Sequence, residues 1–173
     1  MKNKFRLKFV LFSILCLSVL TVGSFFVSGP FLIINKSPSL PLGVYWVEKT
    51  NQFQKGDILL LNLPKSIKEI AVKRRYMPKQ AQLMKPLVAS YEDSVCVNRK
   101  GEFLINQKKF GQRLETDSSG RKMPKMLSGC IRLQRDEIVV ASLKENSFDS
   151  RYFGPLLKEF ISGKAHAILV WEG

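Results

Sequence analysis

The chain has 173 residues, with 28 Lys and Arg against 14 Asp and Glu and a formal net charge of +14. Its length fits one domain with an appendage, and its hydrophobic fraction of 45% is that of a globular chain rather than a disordered one. The positive charge suits anionic lipid or simply a solvated basic surface, and no aromatic-interleaved basic motif accompanies it, so no nucleic-acid partner is expected.

The first eight residues carry Lys2, Lys4, Arg6 and Lys8. Residues 9–27 follow without a charge, about the length that spans the hydrocarbon core as a helix. The positive-inside rule puts residues 1–8 in the cytoplasm and residues 28–173 outside. A cleavable signal peptide is the alternative. The apolar run is longer than the usual core of such peptides, and no Ala-x-Ala site follows it. We therefore expect an uncleaved inner-membrane anchor over 9–27 and a periplasmic domain over 28–173. Gly29-Pro30 breaks the run, and Phe31-Leu32-Ile33-Ile34 resumes it.

The exported part reads as short strands. Gly43–Val47 is β-branched and aromatic, Lys55-Gly56-Asp57 is a turn, and Ile58–Leu61 is a buried strand. Ser66–Tyr76 reads as a helix, with Ser66 as N-cap and Glu69 at capping-box spacing. Leu83–Ala89 is an apolar strand with Lys85 inside it, and Ser94–Val97 continues the β pattern. Phe103–Asn106 and Lys109–Gly111 read as a hairpin, and Thr116–Lys125 as a loop. Ile138–Ala141 is a strand, Ser147–Pro155 a loop, Leu156–Ile161 a helical turn and Ala165–Trp171 a last strand. The expected fold is mainly β: an N-terminal transmembrane helix, then short antiparallel strands with one or two short helices.

Three cysteines are present. Cys16 lies in the apolar run and reads as a small hydrophobe. Cys96 and Cys130 fall in the exported part, where an oxidising compartment would pair them; two buried thiols are the alternative. No His or second Cys stands at metal-ligand spacing, so neither metal nor cofactor is expected.

Ser39 lies in the proline-pinned stretch Ser37-Pro38-Ser39-Leu40-Pro41-Leu42-Gly43, twelve residues beyond the apolar run. It is a candidate nucleophile held near a bilayer. The single histidine, His166, sits in the apolar terminal strand and reads as structural, which removes the usual Ser-His-Asp arrangement. A serine without histidine needs another base. Lysine serves only when burial lowers its pKa, and Lys85 among Leu83, Met84, Leu87, Val88 and Ala89 is the candidate, with an outward-facing amine as the alternative.

Anchor, Ser-x-Ser-Leu-Pro-x-Gly, a strand lysine and Ser147-x-Asp149-Ser150-Arg151-Tyr152-Phe153-Gly154-Pro155 together resemble the type I signal peptidases, membrane-anchored Ser-Lys endopeptidases. The serine box, the small size and the cysteine pair are most similar to their conjugative-transfer, TraF-type branch. The resemblance implies Ser39 as nucleophile and Lys85 as general base. It implies that Ser147 hydrogen-bonds the lysine amine and that Asp149 and Arg151 form a supporting ion pair. Ser37 and the Ser39 backbone N–H would form the oxyanion hole. Two positions depart from the family pattern: Pro86 follows the lysine, which suits a strand edge, and Glu92-Asp93 replaces the usual Gly-Asp turn.

The resulting expectation is a monomeric serine endopeptidase that removes the leader or propeptide of an exported preprotein, a conjugative pilin or transfer protein, next to inner-membrane lipid. A general signal peptidase is the alternative within that class. A non-catalytic basic subunit tethered to the membrane in a secretion or conjugation system is the alternative outside it.

Overall fold

Side-chain alternation organises the larger sheet. In β2 (Leu42–Glu48) Tyr45 and Val47 are fully buried and Trp46 between them is exposed, as a period of two requires. The computed structural model describes residues 10–18 and 31–171. Within them, β1 (Phe31–Asn35), β3 (Ile58–Leu61), β4 (Leu83–Ala89), β9 (Glu137–Val140), β10 (Leu156–Leu157) and β11 (Ile161–Trp171) join β2 in one antiparallel sheet. Its order is β1-β2-β11-β3-β4-β9-β10. A smaller sheet, in the order β7-β6-β5-β8, contains β5 (Ser94–Val97), β6 (Glu102–Ile105), β7 (Lys108–Gln112) and β8 (Gly129–Arg132). The chain is therefore mainly β, as its short strand signals suggest.

Three apolar clusters hold these layers. Leu59, Leu61, Leu87, Ile138 and Val140 pack with Ile67 of α1 (Lys65–Lys73) and Phe153 of α2 (Ser150–Phe153). Val95, Val97 and Phe103 join Val139 and Ala89 where the two sheets meet. Tyr45, Val47, Leu60, Met84 and Ala165 fill the space beneath β2.

The helix α1 is capped two residues earlier than its capping-box pattern suggests. Pro64 is the cap residue, and no side chain caps the helix. The Pro64 carbonyl accepts the first helical bond from Lys68 N–H at 2.9 Å, and a proline at that position has no N–H to leave unpaired. Arg75 at φ 60° ends the helix. Tyr76 N–H then donates to the Ala71 carbonyl and Arg75 N–H to the Val72 carbonyl, the double bond pattern of a Schellman end.

Other departures have physical causes. The stretch Ser147–Pro155 is not all loop: Asp149 accepts from Arg151 N–H at 3.2 Å and caps the single turn α2. The segment after it is a short strand followed by a 3-10 turn over Lys158–Phe160. Strand β11 begins at Ile161 rather than Ala165, because it pairs first with β3 and then with β2. At that crossing a Cβ on Gly163 would stand 2.6 Å from the Glu48 carbonyl oxygen and 2.7 Å from Val47 Cγ1. Gly163→Ala is expected to destabilise the fold by about 1–3 kcal/mol, read as a lowered urea midpoint. Strand β8 has no strong β pattern of its own and is formed by pairing with β5. The hairpin between β6 and β7 turns through Asn106 and Gln107, at φ 48° and 66°, as a two-residue turn of the right twist requires. Glu92 adopts φ 71°, so the position where a glycine is usual keeps a left-handed turn.

Pro86 does not mark a strand edge, since β4 lies between β3 and β9. The strand pairs with β3 through Leu83–Pro86 and with β9 from Leu87 onward. Leu87 still bonds Gly56 and Asp57 on the β3 side while the Pro86 carbonyl accepts from Ala141 N–H, so the missing donor of Pro86 falls where the pairing with β9 begins.

Cys96 and Cys130 stand opposite each other on β5 and β8 and are joined by a disulfide. The bridge closes a separation of 34 residues, for which chain-entropy arguments give roughly 3–5 kcal/mol. A thiol-reactive tag applied to the folded, unreduced protein is expected to spare both cysteines. Labelling of both without reductant would refute the bridge.

The expected anchor over 9–27 is described only at residues 10–18, which are helical and include the exposed Cys16. The rest of it, and the basic residues 1–8, lie outside the described residues. Among the described residues no helix is long and apolar enough to cross a membrane.

Candidate active site

The turn that carries Ser39 is held by hydrogen bonds, because Lys36, Ser37 and Pro38 are exposed and pack little. Asn35, buried at the end of β1, donates to the carbonyls of Ser37 at 3.0 Å and Pro41 at 2.9 Å, and accepts from Ser37 N–H at 3.0 Å. The Tyr45 hydroxyl donates to the Pro41 carbonyl at 2.8 Å. The Ser142 hydroxyl donates to the carbonyl of Ser39 itself at 2.6 Å. The Ser37 and Ser39 hydroxyls lie 3.1 Å apart.

Lys85 comes from the middle of β4, opposite Leu59 on β3. Both Lys85 and its neighbour Met84 are buried, so both faces of the strand are covered there. Lys85 is 4% exposed, and its amine donates to Ser39 Oγ. Burial pushes its pKa down to about 8 from an ordinary 10.5; the Asp149 carboxylate opposes that lowering and the Arg151 guanidinium adds to it. An amine of that kind is a competent proton acceptor for the hydroxyl it touches.

Asp149 and Arg151 form a fully buried ion pair, with Arg151 Nη2 to Asp149 Oδ2 at 2.7 Å and Nε to Oδ1 at 2.9 Å. The fork geometry uses both carboxylate oxygens. Arg151 also donates to the carbonyls of Lys144 at 2.7 Å, Ser142 at 3.1 Å and Gln112 at 3.3 Å. Ser142 N–H completes the Asp149 carboxylate at 3.1 Å.

Ser147 differs from what the resemblance implies. It is buried beside the same cleft, but its hydroxyl has no hydrogen-bond partner. The Lys85 amine is turned onto Ser39 instead. His166 lies outside the cleft, exposed on β11 with Nε2 3.1 Å from Glu48 Oε1, a surface contact.

Ser37, Ser39, Lys85 and Ser147 line a cleft of about 720 Å³ with apolar walls that include Ile33, Met84 and Phe148. The Asp149–Arg151 pair stands behind it, bonded through Ser142. Asn35, Tyr45 and Ser142 are the residues that sequence reasoning missed. Asn35 closes an apolar run and Ser142 ends the strand signal Ile138–Ala141, and neither position marks it as a partner of Ser39.

Known proteins are similar to this chain over most of its length. The pattern described as "Signal peptidase, peptidase S26" matches residues 6–171. Two proteins named plasmid transfer protein TraF, both from Escherichia coli, are similar to this chain. One is 26% identical over 147 residues, covering 80% of this chain and 82% of its own. The other is 27% identical over 165 residues, covering 89% and 90%. A crystal structure of a signal peptidase I from Enterococcus faecalis V583 overlaps 67% of this chain and 98% of its own at 16% identity and a TM-score of 0.39, a likeness too distant to carry residues across.

Proposed function

The chain belongs to the signal peptidase family, peptidase S26, and we propose that within it this chain is a membrane-anchored serine endopeptidase with Ser39 as nucleophile and Lys85 as general base. One observation carries the reading: a buried lysine amine, lowered to about 8, in hydrogen-bond contact with the hydroxyl of a serine at the floor of a cleft. A non-catalytic basic subunit has no use for such a lysine, since its positive charge would serve better in solvent.

Ser39 Oγ attacks the scissile carbonyl while its proton passes to the neutral Lys85 amine. The Ser39 N–H and the Ser37 hydroxyl stabilise the oxyanion, each such donor contributing about 10²–10³-fold. Collapse breaks the C–N bond, and the Lys85 ammonium protonates the departing amine. Water, or the amine of another peptide end, then releases the acyl group. Ser147, with its unpartnered hydroxyl beside the cleft, orients the lysine amine once substrate is bound. Asp149 and Arg151 hold the loop behind it.

The two relatives named for plasmid transfer support a precursor of a conjugative pilin or other transfer protein as substrate. Residues 9–27 anchor the chain in the inner membrane, with residues 1–8 cytoplasmic and the catalytic domain periplasmic. An exposed apolar face supports that seating: Leu32, Ile34, Trp46, Leu169 and Trp171 lie on the neighbouring strands β1, β2 and β11, starting where the anchor ends. Tryptophans at such a face suit the headgroup level of a bilayer.

The test is the pH dependence of cleavage. Lys85 acts only when neutral, so kcat/KM for a precursor is expected to rise about tenfold per pH unit below about 8 and to level off above it. A profile that is flat from pH 6 to about 10, or that falls with rising pH, contradicts lysine as the base.

A further inference from the structure

Ser142 takes no part in the chemistry proposed above, yet all its polar atoms are engaged. Its hydroxyl donates to the Ser39 carbonyl at 2.6 Å, across 103 residues of sequence, and accepts from Lys144 N–H at 3.1 Å. Its N–H donates to Asp149 Oδ2 at 3.1 Å, and its carbonyl accepts from Arg151 Nη2 at 3.1 Å. Among the described residues it alone is hydrogen-bonded both to the buried ion pair and to the serine turn. The residue is itself 3% exposed.

We propose that Ser142 is a positioning residue that couples the Asp149–Arg151 pair to the backbone of Ser39. The inference rests on the reading of Ser39 and Lys85 as nucleophile and base. Asn35 and Tyr45 hold the flanks of the turn at Ser37 and Pro41, but only Ser142 grips the carbonyl of Ser39. Lys36–Pro38 are exposed, and the packing of Leu40 on the core anchors its side chain rather than the Ser39 carbonyl. The ion pair behind Ser142 is rigid: both partners are buried and every bond it makes there runs to backbone or to itself. Ser142 extends that rigidity into the turn, so that Oγ meets the Lys85 amine and the Ser39 N–H faces the developing oxyanion. Without the hydroxyl the Ser39 carbonyl turns to solvent in the cleft and the turn shifts. A misplacement on the order of 1 Å is enough to slow such a reaction by about 10²-fold.

The test uses the full-length chain in detergent and a β-lactam acylating probe, which needs no peptide sequence. Two quantities are read separately: the acylation rate constant and the fraction of molecules labelled at Ser39. Ser142→Ala is expected to keep the labelled fraction and thermal midpoint of the parent chain while its rate constant falls about 10–100-fold. Ser142→Thr, which retains the hydroxyl, is expected to recover to within about threefold of the parent. An S142A chain with the parent rate overturns the proposal, as does one whose loss lies in the labelled fraction. A folded S142T chain as slow as S142A also overturns it. Ser39→Ala run in parallel separates the two levels. A parent chain that takes no label on Ser39, or an S39A chain labelled like the parent, sinks the nucleophile reading and the proposal with it. An inert S39A chain beside a fully active S142A chain removes only the role of Ser142.

Discussion

Replacing Lys85 with Met is expected to lower cleavage by about 10²–10⁴-fold and, in the same molecule, to raise stability at neutral pH. The two effects share one cause. Burial lowers the Lys85 pKa to about 8 from 10.5, and at about 1.4 kcal/mol per pKa unit that lowering corresponds to about 3 kcal/mol. The folded pKa lies below the unfolded one, so below about 8 the fold must hold an ammonium that it disfavours, and the cost is present in full. Between about 8 and 10.5 the folded amine is neutral while the unfolded one is still charged, and the cost fades as pH rises. Methionine has similar length and no charge, so it relieves that cost. Urea unfolding of Lys85→Met is therefore expected to show a gain of up to about 3 kcal/mol at pH 7 that shrinks toward pH 10. A variant less stable than the parent at pH 7, or a gain that ignores pH, would contradict a buried, poorly solvated amine. A gain in stability with a loss of activity is the usual mark of a strained functional group.

Arg151→Met is expected to be the most damaging single change to the fold. Asp149 is completely buried, and among the described residues Arg151 is the cation that pairs directly with it. Removing the guanidinium strands a carboxylate and leaves the carbonyls of Ser142, Lys144 and Gln112 short of a donor. Breaking a buried pair from one side costs about 3–5 kcal/mol. Removing both partners, as Asp149→Leu with Arg151→Met, is expected to return much of that loss, because the stranded charge goes with its partner. The comparison is made by urea unfolding of the two chains. A single variant within about 1 kcal/mol of the parent, or a double variant worse than the single, contradicts this account of the pair.

The parts of the molecule legible in the sequence are those set by local pattern. Leu83–Ala89 and Ser94–Val97 form strands with the bounds that their apolar runs suggest. Lys85 stands out because a lysine within such a run is either turned outward or buried, and the covered faces of β4 bury it. The cysteine pair is legible because two cysteines in the part expected to be exported are expected to bridge, and the disulfide joins those two.

What the sequence hides are relations between distant segments. Ser142 reads as the polar end of a strand, and only its approach to the serine turn gives its hydroxyl the distant Ser39 carbonyl to donate to. Asn35 reads as the end of an apolar run, and its cradle of Ser37 and Pro41 exists only once the chain doubles back into β2. Pro86 suggests an edge, because a sequence does not reveal that a further strand begins to pair with β4 beside its proline. Strand β8 has exposed residues and owes its geometry to β5 and the disulfide rather than to its own composition.

The central claim is that Ser39 is the nucleophile, and its most direct measurement is the fate of a precursor in membranes that carry the full-length chain with Ser39→Ala. The hydroxyl is then the one group removed, while Lys85 and the buried ion pair remain. With protein level unchanged, the account predicts that the precursor accumulates at full length and that no mature product appears. Mature product at the rate of the parent chain would contradict it.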